Sequence, residues 1–345
     1  FDGQGHMIGG LFIGKQDENQ LYFGFFGYLG SKSVVRDIVL QGEVNVYNPV
    51  YTDKHRGHHY VGGLAGDCRS SSVENCKVEM PVKYSRNVPN GGEVYEINVG
   101  GLFGYCGSGI IRYCSHEGDV SCLQTPNDAG YNIVAGSYIG GLIGYYSGSS
   151  FGTPVLEYCE NISNTITLSI PNNTKISNHL WARGLFGKGY GKVQYCRNVC
   201  NFDITHYGFP YAGTILAYIG GIGGQSTATT INCYSSVPKT AINSSRINEV
   251  YYSGIGGNSS TSKANYSNSD ASIQTSLALI REYDGSTAFT STQMQTKAFL
   301  EELNTYSIIE GDGAVWAQDE GGYPYIAKLR ETTGISNVEM DDRLS

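Results

Sequence analysis

A glycine-centred motif that returns about every 40 residues constrains the fold of this chain more than any other feature of its sequence. One copy reads YIGGLIG at residues 138–144. The second glycines of seven copies, or their equivalents, are Gly24, Gly63, Gly101, Gly141, Gly184, Gly221 and Gly254. They are separated by 39, 38, 40, 43, 37 and 33 residues. This regular self-similarity indicates a stacked repeat protein, in which each repeat contributes one structural unit.

A short run with the character of a β-strand follows each glycine motif, and in five repeats it ends in cysteine. These cysteines are Cys76, Cys114, Cys159, Cys196 and Cys233. The first repeat has Ile38 in the same position. Since equivalent residues of stacked coils lie above one another, we expect the cysteines to form a ladder that points into the core.

These two features predict an all-β fold, a right-handed parallel β-helix (β-solenoid) of about seven coils. Right-handed winding is the physical default for parallel crossover connections. A strand pair from one repeat cannot bury its apolar face alone, whereas stacked copies make a continuous core. The apolar residues of the glycine motifs should form a second inward ladder of Leu64, Leu102, Leu142, Leu185 and Ile222.

The glycine motif and the Ile/Val-x-x-Cys run that follows it resemble the GLUG motif of bacterial surface proteins. The opening residues 1–11, FDGQGHMIGGL, resemble the FDGxGHxI segment that often leads such arrays. The resemblance covers roughly residues 1–260 and implies a β-solenoid from an adhesin-like protein. It does not imply peptidase activity, although GLUG repeats also accompany metallopeptidases, because the chain has no His-Glu-x-x-His motif.

The composition changes after the repeats, which divides the chain into three parts. Residues 1–260 form the GLUG-like solenoid, 261–332 a degraded last coil with a small helix-containing cap, and 333–345 a linker to an absent region. Residues 291–304 are the best helix candidate, with Ser291 or Thr292 as its cap. Trp316 and the segment GYPY at 322–325 resemble the ending of many surface solenoids from the Bacteroidetes. We expect this cap to plug the open end of the solenoid.

Composition and charge exclude some classes of protein. The net charge is -8 and no basic stretch exists, which argues against nucleic acid as a partner. No segment approaches the ~20 apolar residues that would insert directly into a bilayer. The first residues read as the middle of a β element, so we interpret the chain as processed or cut, and expect a secreted or outer-surface location from the resemblance.

Cysteine and histidine provide weak candidates for metal or redox chemistry. The count of nine cysteines is odd, and a ladder of small buried side chains explains most of them. Cys68 and Cys106 occupy equivalent places, and whether they pair stays open. His55, His58 and His59 form the one histidine cluster, which we interpret as a solvated loop. We predict no metal and no cofactor.

Tyrosine supplies the predicted ligand-binding surface. Tyr113, Tyr158 and Tyr195 each precede a ladder cysteine, so strand alternation should point them outward. An exposed column of tyrosines suits a glycan or a protein of a host or bacterial surface. The first hypothesis is therefore an adhesin-like binding protein without enzymatic activity.

Two alternatives remain, a carbohydrate-active enzyme of the β-helix type (polysaccharide lyase or glycoside hydrolase) and a structural stalk. Glu74 and Glu157 share a strand position, with Arg112 between them. Their expected separation of ~10 Å lies at or beyond the upper end for an inverting carboxylate pair.

Overall fold

The computed structural model describes most of the repeat region and much of the C-terminal part. The described residues are 1–14, 20–47, 58–87, 94–125, 134–148, 152–171, 180–207, 216–223, 229–243, 249–255, 264–270, 272–275, 280–282, 286–307 and 314–331. Strands dominate them, and every strand pairing between coils is parallel.

The first of the two long sheets contains one strand from each coil, so the number of its strands gives the number of coils. Within the described residues it has eight strands, Tyr22–Phe23, His58–Gly62, Val94–Gly100, Val134–Gly140, Leu180–Arg183, Leu216–Gly220, Glu249–Ser253 and Ile280–Glu282. The last strand has no glycine motif, which is why the sequence predicts about seven coils where the structure has eight.

The second long sheet wraps around the rest of each coil. Its described strands are Asp2–Ile13, Phe26–Leu29, Val34–Tyr47, Ala65–Glu79, Val82–Asn87, Phe103–Arg112, Ser115–His116, Val120–Thr125, Ile143–Ser147, Val155–Glu157, Glu160–Asn161, Thr165–Pro171, Phe186–Tyr190, Lys192–Gln194, Arg197–Val199, Asn201–Tyr207, Thr229–Ile231, Tyr234–Ser236, Lys239–Asn243, Tyr266–Asn268, Ser272–Thr275 and Thr287–Phe289.

The pairing is in register from coil to coil, so the chain is a parallel β-solenoid. In the second coil the path runs through His58–Gly62, turns at the glycine motif, and continues through Ala65–Glu79 and Val82–Asn87. Each segment pairs with its equivalent one coil further on, as Val61 does with Val99. One repeat therefore makes one complete coil.

Both predicted ladders lie in the core. Leu64, Leu102, Leu142, Leu185 and Ile222 are fully buried. The ladder cysteines Cys76, Cys114, Cys159, Cys196 and Cys233 are fully buried too, and all nine cysteines of the chain are free thiols. Cys68 and Cys106 are register partners but remain unbonded to each other. Burial of these thiols in the shared core explains why cysteine recurs with the coil.

In the second to the sixth coil, the second glycine of the motif is required because it faces an interior side chain of its own coil. A Cβ added at Gly141 would lie 2.1 Å from Nδ2 of Asn161. At Gly101 it would lie 2.2 Å from Cγ of His116. These side chains belong to a buried polar ladder, defined as His116, Asn161, Asn198 and Ser235, which the sequence analysis did not anticipate.

The side chains of the polar ladder hydrogen-bond to one another and to the backbone along the solenoid axis. Nε2 of His116 donates to the Met80 carbonyl oxygen at 3.1 Å. Nδ2 of Asn161 donates to Oδ1 of Asn198 at 2.8 Å, and Nδ2 of Asn198 donates to Oγ of Ser235 at 3.2 Å. Burial of these amides is tolerated because each finds a partner.

The buried histidine of the polar ladder should make the solenoid sensitive to acid. Burial lowers the pKa of His116 from 6.5 to about 4. The unfolded chain therefore binds the proton first, and stability is lost as pH falls from about 6.5 to about 4. The substitution His116→Asn places an asparagine in register with Asn161 and Asn198. Between pH 7 and pH 4.5, the free energy of unfolding should fall by about 2 to 3 kcal/mol less in this variant than in the parent protein.

Denaturant titrations at the two pH values measure this difference. An equal acid loss in the two proteins would contradict the assignment, because it would place the titration on other groups.

A left-handed corner interrupts the strand just before each ladder cysteine. Its residues have φ between 49° and 55°, and they are Asp37, Asn75, Tyr113, Tyr158, Tyr195, Asn232 and Ala264. Asp and Asn accept this conformation readily, whereas tyrosine does so at a cost. The backbone bends there, so simple strand alternation does not hold.

Within the described residues, the C-terminal part packs along the side of the solenoid, against its column of tyrosines. It contains a 3-10 turn at Gln293–Gln295, helix α1 at Lys297–Thr305, an antiparallel pair of Trp316–Ala317 with Tyr325–Ile326, and helix α2 at Ala327–Glu331. We call the described residues 291–307 and 314–331 the strap. The predicted helix begins later than expected, because Thr296 is its N-cap and accepts from the Phe299 N–H. No helix among the described residues is long and apolar enough to cross a membrane.

Candidate functional site

The strap covers the tyrosine column that the sequence predicted to be an exposed binding surface. Tyr113, Tyr158 and Tyr195 do stack on one another, with ring centroids 4.8 and 4.9 Å apart. They also point away from the cysteine core. However, Tyr158 is 8% exposed and Tyr195 is 2% exposed, while Tyr113 is half-buried. The premise of an open tyrosine face is therefore wrong.

A second hydrophobic core between the solenoid and the strap explains this burial. Tyr158, Tyr195, Tyr234 and Tyr266 share it with three aliphatic and two aromatic side chains of the strap. The strap residues are Met294, Phe299, Leu303, Trp316 and Ile326. The stacked rings are thus a docking surface for the chain's own C-terminal segment.

A second aromatic surface lies on the outside of the glycine turns, where Tyr28 is 50% exposed while Tyr138 and Trp181 are 5% and 4% exposed. One column, in register on the eight-stranded sheet, consists of Tyr22, Tyr60, Asn98, Tyr138, Trp181, Tyr218 and Tyr251. The column beside it, on the strands after the turns, consists of Tyr28, Asp67, Tyr105, Tyr145 and Lys188. We call these two columns the aromatic strip.

Glycine brings the two columns together. A Cβ at Gly104 would lie 2.3 Å from the backbone nitrogen of Val61, so glycine allows the strands on either side of the corner to approach closely. As a result the ring centroids of Tyr60 and Tyr105 are 5.6 Å apart, and those of Tyr138 and Tyr145 are 5.4 Å apart.

The rings of the two columns present different surfaces. Trp181 and Tyr218 stack with centroids 4.0 Å apart and planes 9° apart, so their faces are largely occupied by each other. Tyr105 and Tyr145 meet edge to face at 74°. Tyr28 is half exposed. Tyr105 and Tyr145 are intermediate in exposure, with a cationic side chain near each ring.

Charged side chains lie among the rings at one end of the strip. Arg69 has its guanidinium carbon 5.3 Å from the centroid of Tyr105, and it pairs with buried Asp67 at 2.8 Å. Nδ1 of His58 lies 2.9 Å from Oε2 of Glu96, and the Tyr138 hydroxyl donates to Oε1 of Glu96 at 3.4 Å. The strip therefore combines apolar ring surface with fixed hydrogen-bonding groups.

Burial further favours the protonated form of two phenols of the strip. It raises the pKa of Tyr105 and, together with Asp67, that of Tyr60 well above the ordinary value. Burial also raises the pKa of Asp67, and Arg69 opposes that shift. The tyrosine hydroxyls consequently remain available as hydrogen-bond donors.

The other candidates from the sequence do not assemble into a reactive or metal-binding centre. Within the described residues no group of three or more His, Cys, Asp or Glu is placed to hold a metal. His58 points outward, His59 is buried with Nδ1 2.7 Å from the Tyr84 hydroxyl, and His55 lies outside the described residues. Glu74 and Glu157 do share a register position, with Arg112 between them as predicted, but Glu157 is ion-paired with Arg112 and nearly buried.

A groove of about 700 Å³ separates the strap from the outer face of the first coils. Its floor includes Val39 and Ser115. Lys77 forms ion pairs with Glu79 and Glu117, the latter at 3.8 Å. Because its charges largely neutralise one another, the groove shows less ligand chemistry than the aromatic strip.

The strip could have been recognised in the sequence. The tyrosines of its first column stand two residues before the first glycine of the motif, and those of the second column directly follow the last glycine. The repeat already aligns both positions. The alignment that predicts the inward ladders also predicts outward columns when it is applied to the alternate positions. Comparison with known proteins supplies no name for this site, because the chain matches no family model, no curated protein and no solved structure.

Proposed function

We propose that this chain is an adhesin-like binding protein of the GLUG-repeat type, and that it binds a glycan along the aromatic strip. The observation that carries the proposal is a set of outward rings, aligned with the solenoid axis, with hydrogen-bonding side chains between them. The proposal includes a secreted or outer-surface location and no catalytic step.

The chemistry and the linear shape of the strip favour a glycan over a protein partner. Sugar rings present C–H faces that pack on aromatic faces, and hydroxyls that pair with charged and amide groups. Tyr105 and Tyr145 offer the first kind of surface, while Arg69 and Glu96 offer the second. Protein interfaces are also rich in tyrosine and arginine, so the preference for a glycan rests on the narrow, linear arrangement of the two columns along the axis. The coils repeat every ~4.8 Å, so neighbouring sugars of an extended chain would meet similar groups.

Removing two rings of the strip should weaken glycan binding without unfolding the solenoid. We expect the double variant Tyr105→Ser and Tyr145→Ser to lose at least about tenfold in affinity, because each aromatic contact contributes roughly 0.5 to 1.5 kcal/mol. A glycan microarray identifies the ligand, and titration calorimetry with the best hit gives the affinities.

Tyr306→Ser is the matched control, since Tyr306 is an exposed tyrosine on the strap, away from the strip. Unfolding midpoints of all variants separate lost binding from lost structure. If the folded double variant binds a reproducible glycan hit as tightly as the parent protein does, the strip is not the binding site. A blank array would count against glycan binding itself.

A further inference from the structure

One coil of the aromatic strip carries arginine where its neighbours carry glycine. Arg183 pairs in register with Gly140 on one side and Gly220 on the other. It alternates with Ala182, which lies in the core, and therefore faces outward on the same side as Trp181. Large side chains are excluded at this position in other coils, since a Cβ at Gly140 would lie 2.1 Å from the Ile143 carbonyl oxygen.

The guanidinium of Arg183 is buried at the base of the strip without a compensating anion among the described residues. The residue is 4% exposed, and its Nε and Nη1 atoms have no hydrogen-bond partner within the described parts of the chain. Nη1 lies over Gly220 of the next coil. Burial lowers the pKa of Arg183 to about 10, which still leaves the side chain charged at neutral pH.

A second cation lies on the same coil. Nζ of Lys188 is 4.8 Å from the ring centroid of Tyr138 and 5.5 Å from that of Trp181. It also donates to the Tyr138 hydroxyl at 3.2 Å. Lys188 and Arg183 thus flank Trp181, one on each side of the glycine turn.

The acidic groups of the strip are concentrated on other coils. Asp67, on the second coil, is paired with Arg69. Glu96, on the third coil, is engaged by His58 and reaches Lys188 only through the Tyr138 hydroxyl. Although the chain as a whole has a net charge of -8, the described residues of the strip on the fifth coil include a lysine beside Arg183 and no carboxylate.

We propose that Arg183 binds an anionic group of the glycan, a carboxylate or a sulfate, with the positive charge of Lys188 on the same coil adding attraction at longer range. This inference rests on the proposed function and narrows its ligand to an acidic glycan. A buried, unpaired guanidinium is costly to the free protein. An incoming anion supplies the missing acceptors through charge-assisted hydrogen bonds, which are stronger than neutral ones.

The test compares acidic oligosaccharides with a neutral counterpart on the full 345-residue chain. The probes are hexagalacturonate, its fully methyl-esterified form, sialyllactose and a heparin hexasaccharide, titrated at low and high NaCl. We expect one or more acidic probes to bind at least about tenfold more tightly than the methyl ester. We expect salt to weaken that binding. The preferred probe distinguishes a carboxylate from a sulfate.

Arg183→Gly is the decisive variant because the neighbouring coils already hold glycine at this position. It should fold with an unchanged or higher unfolding midpoint and lose about tenfold or more in affinity for the acidic probe. Lys192→Gln removes one positive charge from the same coil on another face and should leave the affinity unchanged.

The outcomes separate this inference from the proposed function. If the methyl ester binds as tightly as hexagalacturonate and Arg183→Gly changes neither affinity, the acidic preference is wrong while glycan binding stands. If every acidic probe fails to bind, the inference is overturned. If a separate array of neutral glycans is blank as well, the proposed function fails with it.

Discussion

Replacing Gly184 with alanine is expected to destabilise the solenoid by about 3 kcal/mol or more. The added Cβ would lie 1.8 Å from the Gly221 carbonyl oxygen and 2.1 Å from Cγ of Asn198. The first contact is with backbone and the second with a hydrogen-bonded member of the polar ladder, so neither can move aside cheaply. Because coils are stabilised by their neighbours, damage to the fifth coil should spread to the fourth and the sixth.

Gly27→Ala is the matched control for this prediction. It lies in the first glycine motif, but the nearest atom to its added Cβ is 3.8 Å away, which is an ordinary contact. Thermal and denaturant unfolding midpoints should fall steeply for Gly184→Ala and stay near the parent value for Gly27→Ala. Similar midpoints in the two variants would show that the second glycine is not needed to clear the polar ladder.

The predictable part of the fold followed from contacts that repeat with the sequence. Each coil packs mainly on its neighbours, so a residue such as Leu142 is surrounded by its own equivalents, Leu102 and Leu185. A periodic pattern then predicts the register, the inward ladders and the parallel sheets without any knowledge of distant contacts. For the same reason Cys159 was placed in the core correctly.

The binding surface was not predictable in the same way. Strand alternation placed Tyr158 outward, but its φ of 54° puts it at a bend between strands. Nothing in the repeat indicates which outer face a C-terminal segment will cover, since that contact joins residues far apart in sequence. Asn232, for example, donates to the Leu303 carbonyl oxygen at 2.7 Å. The apolar stripe of α1 predicts that the segment docks at the open end of the solenoid, whereas its described contacts lie on the tyrosine column.

The strap is held to the solenoid by a buried ion pair as well as by its apolar side chains. Nη2 of Arg197 lies 2.9 Å from Oε2 of Glu160, and both side chains are about 95% buried, with exposures of 6% and 5%. Nη1 of Arg197 donates to the Pro324 carbonyl oxygen at 2.8 Å, while Glu160 accepts from the Ile326 N–H. Burial alone would lower the pKa of the Arg197 guanidinium, but Glu160 raises it above the ordinary value.

Arg197→Met should therefore detach the strap while the coils persist. It leaves the Glu160 carboxylate buried without its cation, which costs about 3 to 5 kcal/mol, and that strain is relieved when the strap separates and water enters. We expect faster amide exchange in α1 and in residues 316–326, together with unchanged exchange in the inward strands of the third coil.

The double variant Arg197→Met with Glu160→Leu separates the charge effect from a general loss of packing. It removes both charges and fills the same space with apolar atoms, so the strap should regain most of its protection, because a buried pair replaced by hydrophobic side chains is often no less stable. If the double variant exchanges as fast as Arg197→Met, the hydrogen bonds to the strap backbone outweigh the unpaired charge. If neither variant changes exchange in α1, the apolar core formed by Phe299, Leu303 and Trp316 holds the strap without the ion pair.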